Sequence, residues 1–316
     1  MVPHPFAHVQ VTGLRRAAAA ACAVALLASP LAGCGADPSS TSAAASSSGA
    51  SGTVGATAGA SGLPQGPTVA IGVADDLPGL GDRHDGAYSG FDIDVASYVA
   101  NALGYADKQI VFVPLKPNER AAALNDGDVD MVVAGYAMTD EASRGVTFAG
   151  PYLETRPALL THDDADPSAR MTVCTVNGTA VQTMIGNRDG AATRAYDTYG
   201  QCMTALMAGS VDAIAGDDAT LPGLMLDRRG GYRIVDGLMD GDGSTGPLDG
   251  DGSDGALRYG IAVRHDRDEL AERIADALRD MIDDGSWQRF VDADLAPLGY
   301  RPREAPSPRD IAHITG

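Results

Sequence analysis

Positive charge is scarce in this chain: 23 lysines and arginines face 42 aspartates and glutamates, a formal net charge of −19 over 316 residues. A surface of that sign repels phosphate, which argues against nucleic acid as a partner and against docking on anionic lipid through basic patches. Histidine and cysteine are sparse too, with six and four residues. No histidine lies at ligand spacing from the cysteines, no Ser-His-Asp order is present, and His84 and His265 have no convincing partners. No metal centre, cofactor or catalytic triad is therefore expected, and the chain does not read as an enzyme. The residual enzymatic reading is a single carboxylate in a dry cleft acting as general acid or base. The apolar run from Ala17 to Leu27 is also shorter than the ~20 residues a membrane-spanning helix needs.

What is present at the N-terminus reads as an export signal. Arg15 and Arg16 precede the apolar run, and Leu31-Ala32-Gly33-Cys34 follows it. A basic pair, a short apolar core and small residues before a cysteine resemble a lipoprotein signal over residues 1–33, with lipidation at Cys34. The next residues, to about 66, are almost wholly Ser, Ala, Gly and Thr. Such a segment buries too little apolar surface to offset its ordering entropy, so it is expected to be a flexible tether. The protein would then lie outside the cytoplasm, held to the bacterial cell membrane by its lipid. Cys22 leaves with the signal and Cys34 carries the lipid, so Cys174 and Cys202 remain. Outside the reducing cytosol this pair is expected to form a disulfide.

The folded part is expected from about Pro67 to Tyr300, long enough for two lobes. Val69–Val73, Ile110–Val113, Met131–Val133, Leu159–Leu160, Thr172–Val176, Val211–Ala215 and Tyr259–Val263 are short apolar runs that read as strands. Between them, Phe91–Leu103, a short segment capped by Asn118 and running through Leu124, Thr179–Ile185, Cys202–Met207, Leu221–Asp227 and Leu270–Ile282 have helical spacing. Strands alternating with helices imply mainly parallel sheets flanked by helices. The Asp- and Gly-rich stretch at 239–255 invites a calcium reading. No register satisfies Gly sixth and an acid twelfth together with the required acidic spacing, so a solvated insertion is expected there. The last residues, from 301 to 316, read as a loose tail.

Gly127 to Tyr152, GDVDMVVAGYAMTDEASRGVTFAGPY, carries the strongest motif. Its scaffold positions Gly127, Asp130, Thr139, Phe148, Pro151 and Tyr152 resemble the ligand-binding segment of the family 3 extracellular solute-binding proteins. GVADDLPGLG, GAYSGFDIDVASYVANALGY, NERAAALNDGDVD, VCTVNGTA and GSVDAIAGDD extend the resemblance across roughly Pro67 to Tyr300. It implies a two-lobed type II periplasmic-binding-protein clamshell. Lobe 1 would span 67–157 and 258–300 and lobe 2 158–257, with crossings near Arg156–Thr161 and Leu257–Val263. It also implies a monomeric receptor that closes on a small polar solute, an amino acid of the glutamate or glutamine type, and serves an ABC permease. The alternatives are a clamshell that signals to a membrane receptor, and a solute other than an amino acid.

The candidate ligand residues are Asp76, Tyr136, Ala137, Thr139, Arg144, Gly178, Thr179 and Asp217. The resemblance gives Asp217 the ligand's α-amino group, although an N-cap role competes. The family pattern places a carboxylate-binding Arg where this chain has Ala142, and a Ser or Thr where it has Ala137. Arg144 lies two positions on, and two positions on a helix turn a side chain by about 200°. A solvent-facing role is therefore its competing reading. Backbone N–H groups at Ala137–Thr139 are a second source of anion donors. Arg83 and Arg120 are the remaining cations, Arg120 with a structural reading, and Tyr88 joins Tyr136 as a candidate aromatic wall.

Overall fold

The structure is a computed structural model, and it describes residues 63–166, 170–186, 192–226, 230–239, 245–246, 255–300 and 304–314. Cys34, the signal segment and nearly all of the tether lie outside the described residues. So do Asp227 and most of the 239–255 insertion.

Lobe 1 opens with β1 (Val69–Val73), buried at every position. A strand with both faces covered reads as an unbroken apolar run, and VAIGV is one. A small antiparallel sheet follows, made by β2 (Asp76–Leu77), β3 (Gly81–His84) and β4 (Ala87–Ser89). Helix α1 (Phe91–Ala102) buries Phe91, Val95, Ala96, Val99 and Ala100, the stripe its sequence spacing gives. Strand β5 (Ile110–Pro114) leads into α2 (Arg120–Asp126). Asn118 does not cap α2. Glu119 stands at that position, and its carboxylate accepts from the Lys116 N–H (3.0 Å). Then come β6 (Met131–Val132), α3 (Asp140–Ser143) and β7 (Thr147–Thr155).

Lobe 2 holds β8 (Pro157–His162), β9 (Thr172–Val176), α4 (Ala180–Gly186), β10 (Ala192–Tyr196), α5 (Tyr199–Met207), β11 (Ala213–Asp217), α6 (Leu221–Leu224) and β12 (Tyr232–Asp236). A two-residue ladder joins β13 (Leu238–Met239) to β14 (Thr245–Gly246). The chain then returns through β15 (Leu257–Val263), α7 (Asp268–Asp283), α8 (Ser286–Phe290) and β16 (Ala312–Ile314).

The larger sheet runs β16-β7-β15-β6-β1-β5 and the smaller β10-β9-β11-β8-β12. Both are mixed rather than mainly parallel. In each, the parallel pairs come from strand–helix–strand units, whereas the antiparallel ones come from the crossing strands β7, β8 and β15. At the crossing, Asp218 straps the chain: its carboxylate accepts from Arg156 N (2.9 Å) while its own N–H donates to Arg156 O (3.0 Å). Cys174 on β9 and Cys202 on α5 form a disulfide with Cα atoms 5.6 Å apart, and both are fully buried. Closing a chain segment of 28 residues stabilises by about 3–4 kcal/mol in the chain-entropy picture.

Both ends of the folded part extend further than expected. The Tyr105 hydroxyl donates to Pro64 O (3.0 Å), and Leu63 packs on the core. Residues 304–314 of the expected tail are held: β16 adds to the free edge of β7, Ile311 is buried, and Arg279 donates to Ile311 O (2.7 Å). An edge strand left open invites foreign pairing, and this segment covers it.

Candidate ligand-binding cleft

A cavity of about 740 Å³ opens between the two sheets, within the size range typical of small-molecule sites. Lobe 1 supplies its floor and one wall from the turn before α2, the loop after β6 and the start of α3. Lobe 2 supplies the other wall from the starts of α4, α5 and α6. The lobes meet at their rims. Gly178 has φ +81°, and a Cβ placed there would come within 2.6 Å of the Asn118 backbone. A Cβ on Gly223 would collide with the carbonyl oxygen of Pro78. Only glycine permits so close an approach.

Arg120 projects from the first turn of α2 into this cleft. It is 5% exposed, and its guanidinium stacks 5.0 Å from the centre of the Tyr136 ring. Its Nε is buried and meets no hydrogen-bond partner. Burial holds its pKa below the usual range for arginine, yet the guanidinium stays charged at physiological pH. A buried cation with no anionic partner is costly, and sites that hold anions are where such a cost is offset.

Asp217 ends β11 on the opposite side and is 4% exposed. One carboxylate oxygen accepts from Ala219 N (3.1 Å) and Thr220 N (2.9 Å); the other accepts from Thr220 Oγ1 (3.2 Å) and Tyr259 Oη (2.5 Å). Burial pushes its pKa up and these four donors oppose that rise. Asp217 thus fixes the turn into α6 and at the same time lines the cleft. Beneath the floor, Asp92 is fully buried, and its Oδ1 accepts from Tyr152 Oη (2.9 Å). The Gly135 N–H donates to that same hydroxyl (3.3 Å), so Asp92 and Tyr152 hold the loop on which Tyr136 sits.

Of the residues singled out in the sequence, Tyr136, Ala137, Thr139, Arg144, Gly178, Thr179 and Asp217 all line this one cavity, whereas Asp76 falls outside its lining and is exposed. Arg144 is exposed at the rim, and the backbone oxygen of the same residue accepts from His265 Nε2 (3.0 Å). Arg83 stacks on Tyr88 in the small sheet, away from the cleft. The backbone donors of the Ala137–Thr139 loop are largely committed: Met138 N donates to Arg258 O and Thr139 N to Ala137 O. The Thr139 hydroxyl caps α3 by accepting from Ala142 N (3.2 Å). Tyr199, Thr220 and Tyr259 also face the cavity and had no motif to mark them.

Two mixed α/β lobes facing each other across one cleft define a clamshell receptor. The sequence comparison places the chain within that class. Residues 69–293 match the bacterial extracellular solute-binding proteins, family 3, and the chain belongs to that family. It is 33% identical to the glutamate-binding protein GluB of Corynebacterium efficiens, covering 78% of this chain and 84% of that relative. It is 28% identical to the ABC transporter glutamine-binding protein GlnH of Bacillus subtilis, over 70% of this chain and 79% of GlnH. Among solved structures, an ancestral arginine-binding protein bound to glutamine superposes with a TM-score of 0.62 at 27% identity. That match covers 73% of this chain and 98% of the other. The receptor for L-cysteine of Neisseria gonorrhoeae shares the fold, with a TM-score of 0.64 at 22% identity, over 73% of this chain and 91% of that one. Among the described residues no helix is long and apolar enough to cross a membrane.

Proposed function

We propose that this protein captures an α-amino acid between its lobes and delivers it to an ABC permease. It would work as a monomer tethered to the cell membrane through a lipid on Cys34. The observation that carries the reading is Arg120, a buried guanidinium aimed into the cleft with no carboxylate against it. A ligand carboxylate supplies the missing partner, and a planar fork of N–H donors suits it. Asp217 supplies negative charge for the ammonium, which would share or replace the donor position now held by the Tyr259 hydroxyl. Tyr136 and Tyr199 wall the space between, and Gly178–Thr179 close over it from lobe 2. Ligand-driven closure is then a population shift that the permease can recognise, with no chemical step. The names of the relatives, glutamate- and glutamine-binding proteins, support the amino-acid class.

Titration calorimetry and thermal shift of the purified protein against the common L-amino acids test this reading. The expected result is saturable heat and a raised Tm with at least one of them. Silence across the whole set would overturn it.

A further inference from the structure

Taking the cleft to be an amino-acid site, we propose that it selects amino acids carrying a single carboxylate, uncharged or cationic in the side chain, and rejects dicarboxylic ones such as glutamate. This goes against the name of the 33%-identical relative, and it follows from a count of charges and donors around the cavity.

Among the described lining residues the cations are Arg120 and Arg144, and the carboxylates are Asp140, Glu141 and Asp217. Of the two cations only Arg120 is buried; Arg144 stands in solvent at the rim. One ligand carboxylate satisfies Arg120. A second must then enter a space bordered by the methyl groups of Ala137 and Ala142 on one side and by Asp140 and Glu141 at the mouth.

The usual substitute for a missing cation is a set of free backbone N–H groups, and the loops facing this space have few left. Met138 N and Thr139 N bond to Arg258 O and Ala137 O, Ala142 N bonds to the Thr139 hydroxyl, and across the cleft Gly178 N donates to Gln182 Oε1 (3.0 Å). An unpaired anion taken out of water into such surroundings has nothing to offset its desolvation. An amide or a cationic group in the same place meets Asp140 and Glu141 favourably. Selection therefore comes from repulsion of the wrong ligand as much as from attraction of the right one.

The test is calorimetry of the purified receptor with L-glutamine, L-arginine and L-glutamate at one ionic strength, followed by the same titrations on Ala142→Arg. Glutamine or arginine is expected to bind at least about tenfold more tightly than glutamate. The new guanidinium of A142R is expected to move the glutamate-to-glutamine ratio about tenfold toward glutamate. A thermal melt establishes that the variant is folded. Glutamate binding more tightly than both others would overturn this selectivity and leave the amino-acid reading intact. A folded A142R with an unchanged ratio would also overturn it, since the charge count would then not govern choice. No heat from the wild-type protein with any amino acid would remove both conclusions together.

Discussion

At the scale of single residues, Arg120 poses the sharpest question, because a structural arginine and a ligand-binding one make opposite predictions. A structural arginine stabilises the protein through its partners, so removing it weakens the fold. Arg120 has the Tyr136 ring as its contact and a buried Nε without a partner, so in the unliganded protein its burial costs more than it returns. Replacing it with an apolar side chain of similar length should therefore separate folding from function. Arg120→Met is expected to leave the free protein as stable as wild type, or more stable by about 1–2 kcal/mol. The same variant should lose about 2–5 kcal/mol of ligand affinity, the usual cost of truncating one partner of a buried charge pair. Urea denaturation without ligand and calorimetry with it measure the two effects. A destabilised variant that kept its affinity would return Arg120 to a structural role.

At the scale of elements, closure depends on two glycines that face the opposite lobe. Gly223 lies in α6, outside the cavity lining, and its missing side chain makes room for the Pro78 carbonyl. Gly223→Val is expected to weaken ligand binding more than tenfold by holding the lobes apart, with Tm changed little in the absence of ligand. Small-angle scattering should then show no compaction on adding ligand, where wild type compacts.

This scale also explains what the sequence made legible. Elements buried on both faces or along one clear stripe, such as β1 and α1, announce themselves because every core position must be apolar. The small sheet of β2 to β4 does not, since it is rich in Asp, Gly, Arg and His and mostly exposed. Nor does β16, three exposed residues held by pairing to an edge and by the buried Ile311 beside it. Within the motif Gly127–Tyr152, Tyr136, Ala137, Thr139 and Arg144 line the cavity. The motif could not show that Arg120, on a different element, turns inward, because that direction is set by how α2 packs on β6 and not by any local pattern. Tyr199 and Tyr259 were hidden for the same reason: each sits at the start of an ordinary helix or strand, and only the approach of the lobes makes it a wall.

At the scale of the whole molecule, acidity shapes stability. Burial pushes Asp92 up to about 6, and Asp218 and Asp294 also to about 6, Asp294 with added repulsion from Asp94. A carboxyl whose pKa is raised by folding binds its proton more tightly in the native state than in the unfolded one. Between about pH 4 and 6 the native state therefore holds more protons, and stability falls as pH rises through that window. Lowering the pH from 7 toward 5 should stabilise the fold, and relief of repulsion among 42 carboxylates acts in the same direction. For fully buried Asp92, a rise from 3.8 to about 6 corresponds to on the order of 3 kcal/mol across the full range. Exposed carboxylates held below their usual range, Asp266 beside Arg264 and Asp284 beside Ser286, act the other way only once the pH drops beneath about 4. Urea midpoints measured from pH 7 to 4.5 should accordingly rise as the solution is acidified. Asp92→Asn should flatten part of that rise by being more stable than wild type at pH 7 and similar to it at pH 5. Midpoints that fall steadily on acidification in the wild type would show instead that native carboxylates are, in sum, better paired than unfolded ones, and that the buried Asp92 is not a net cost to the fold.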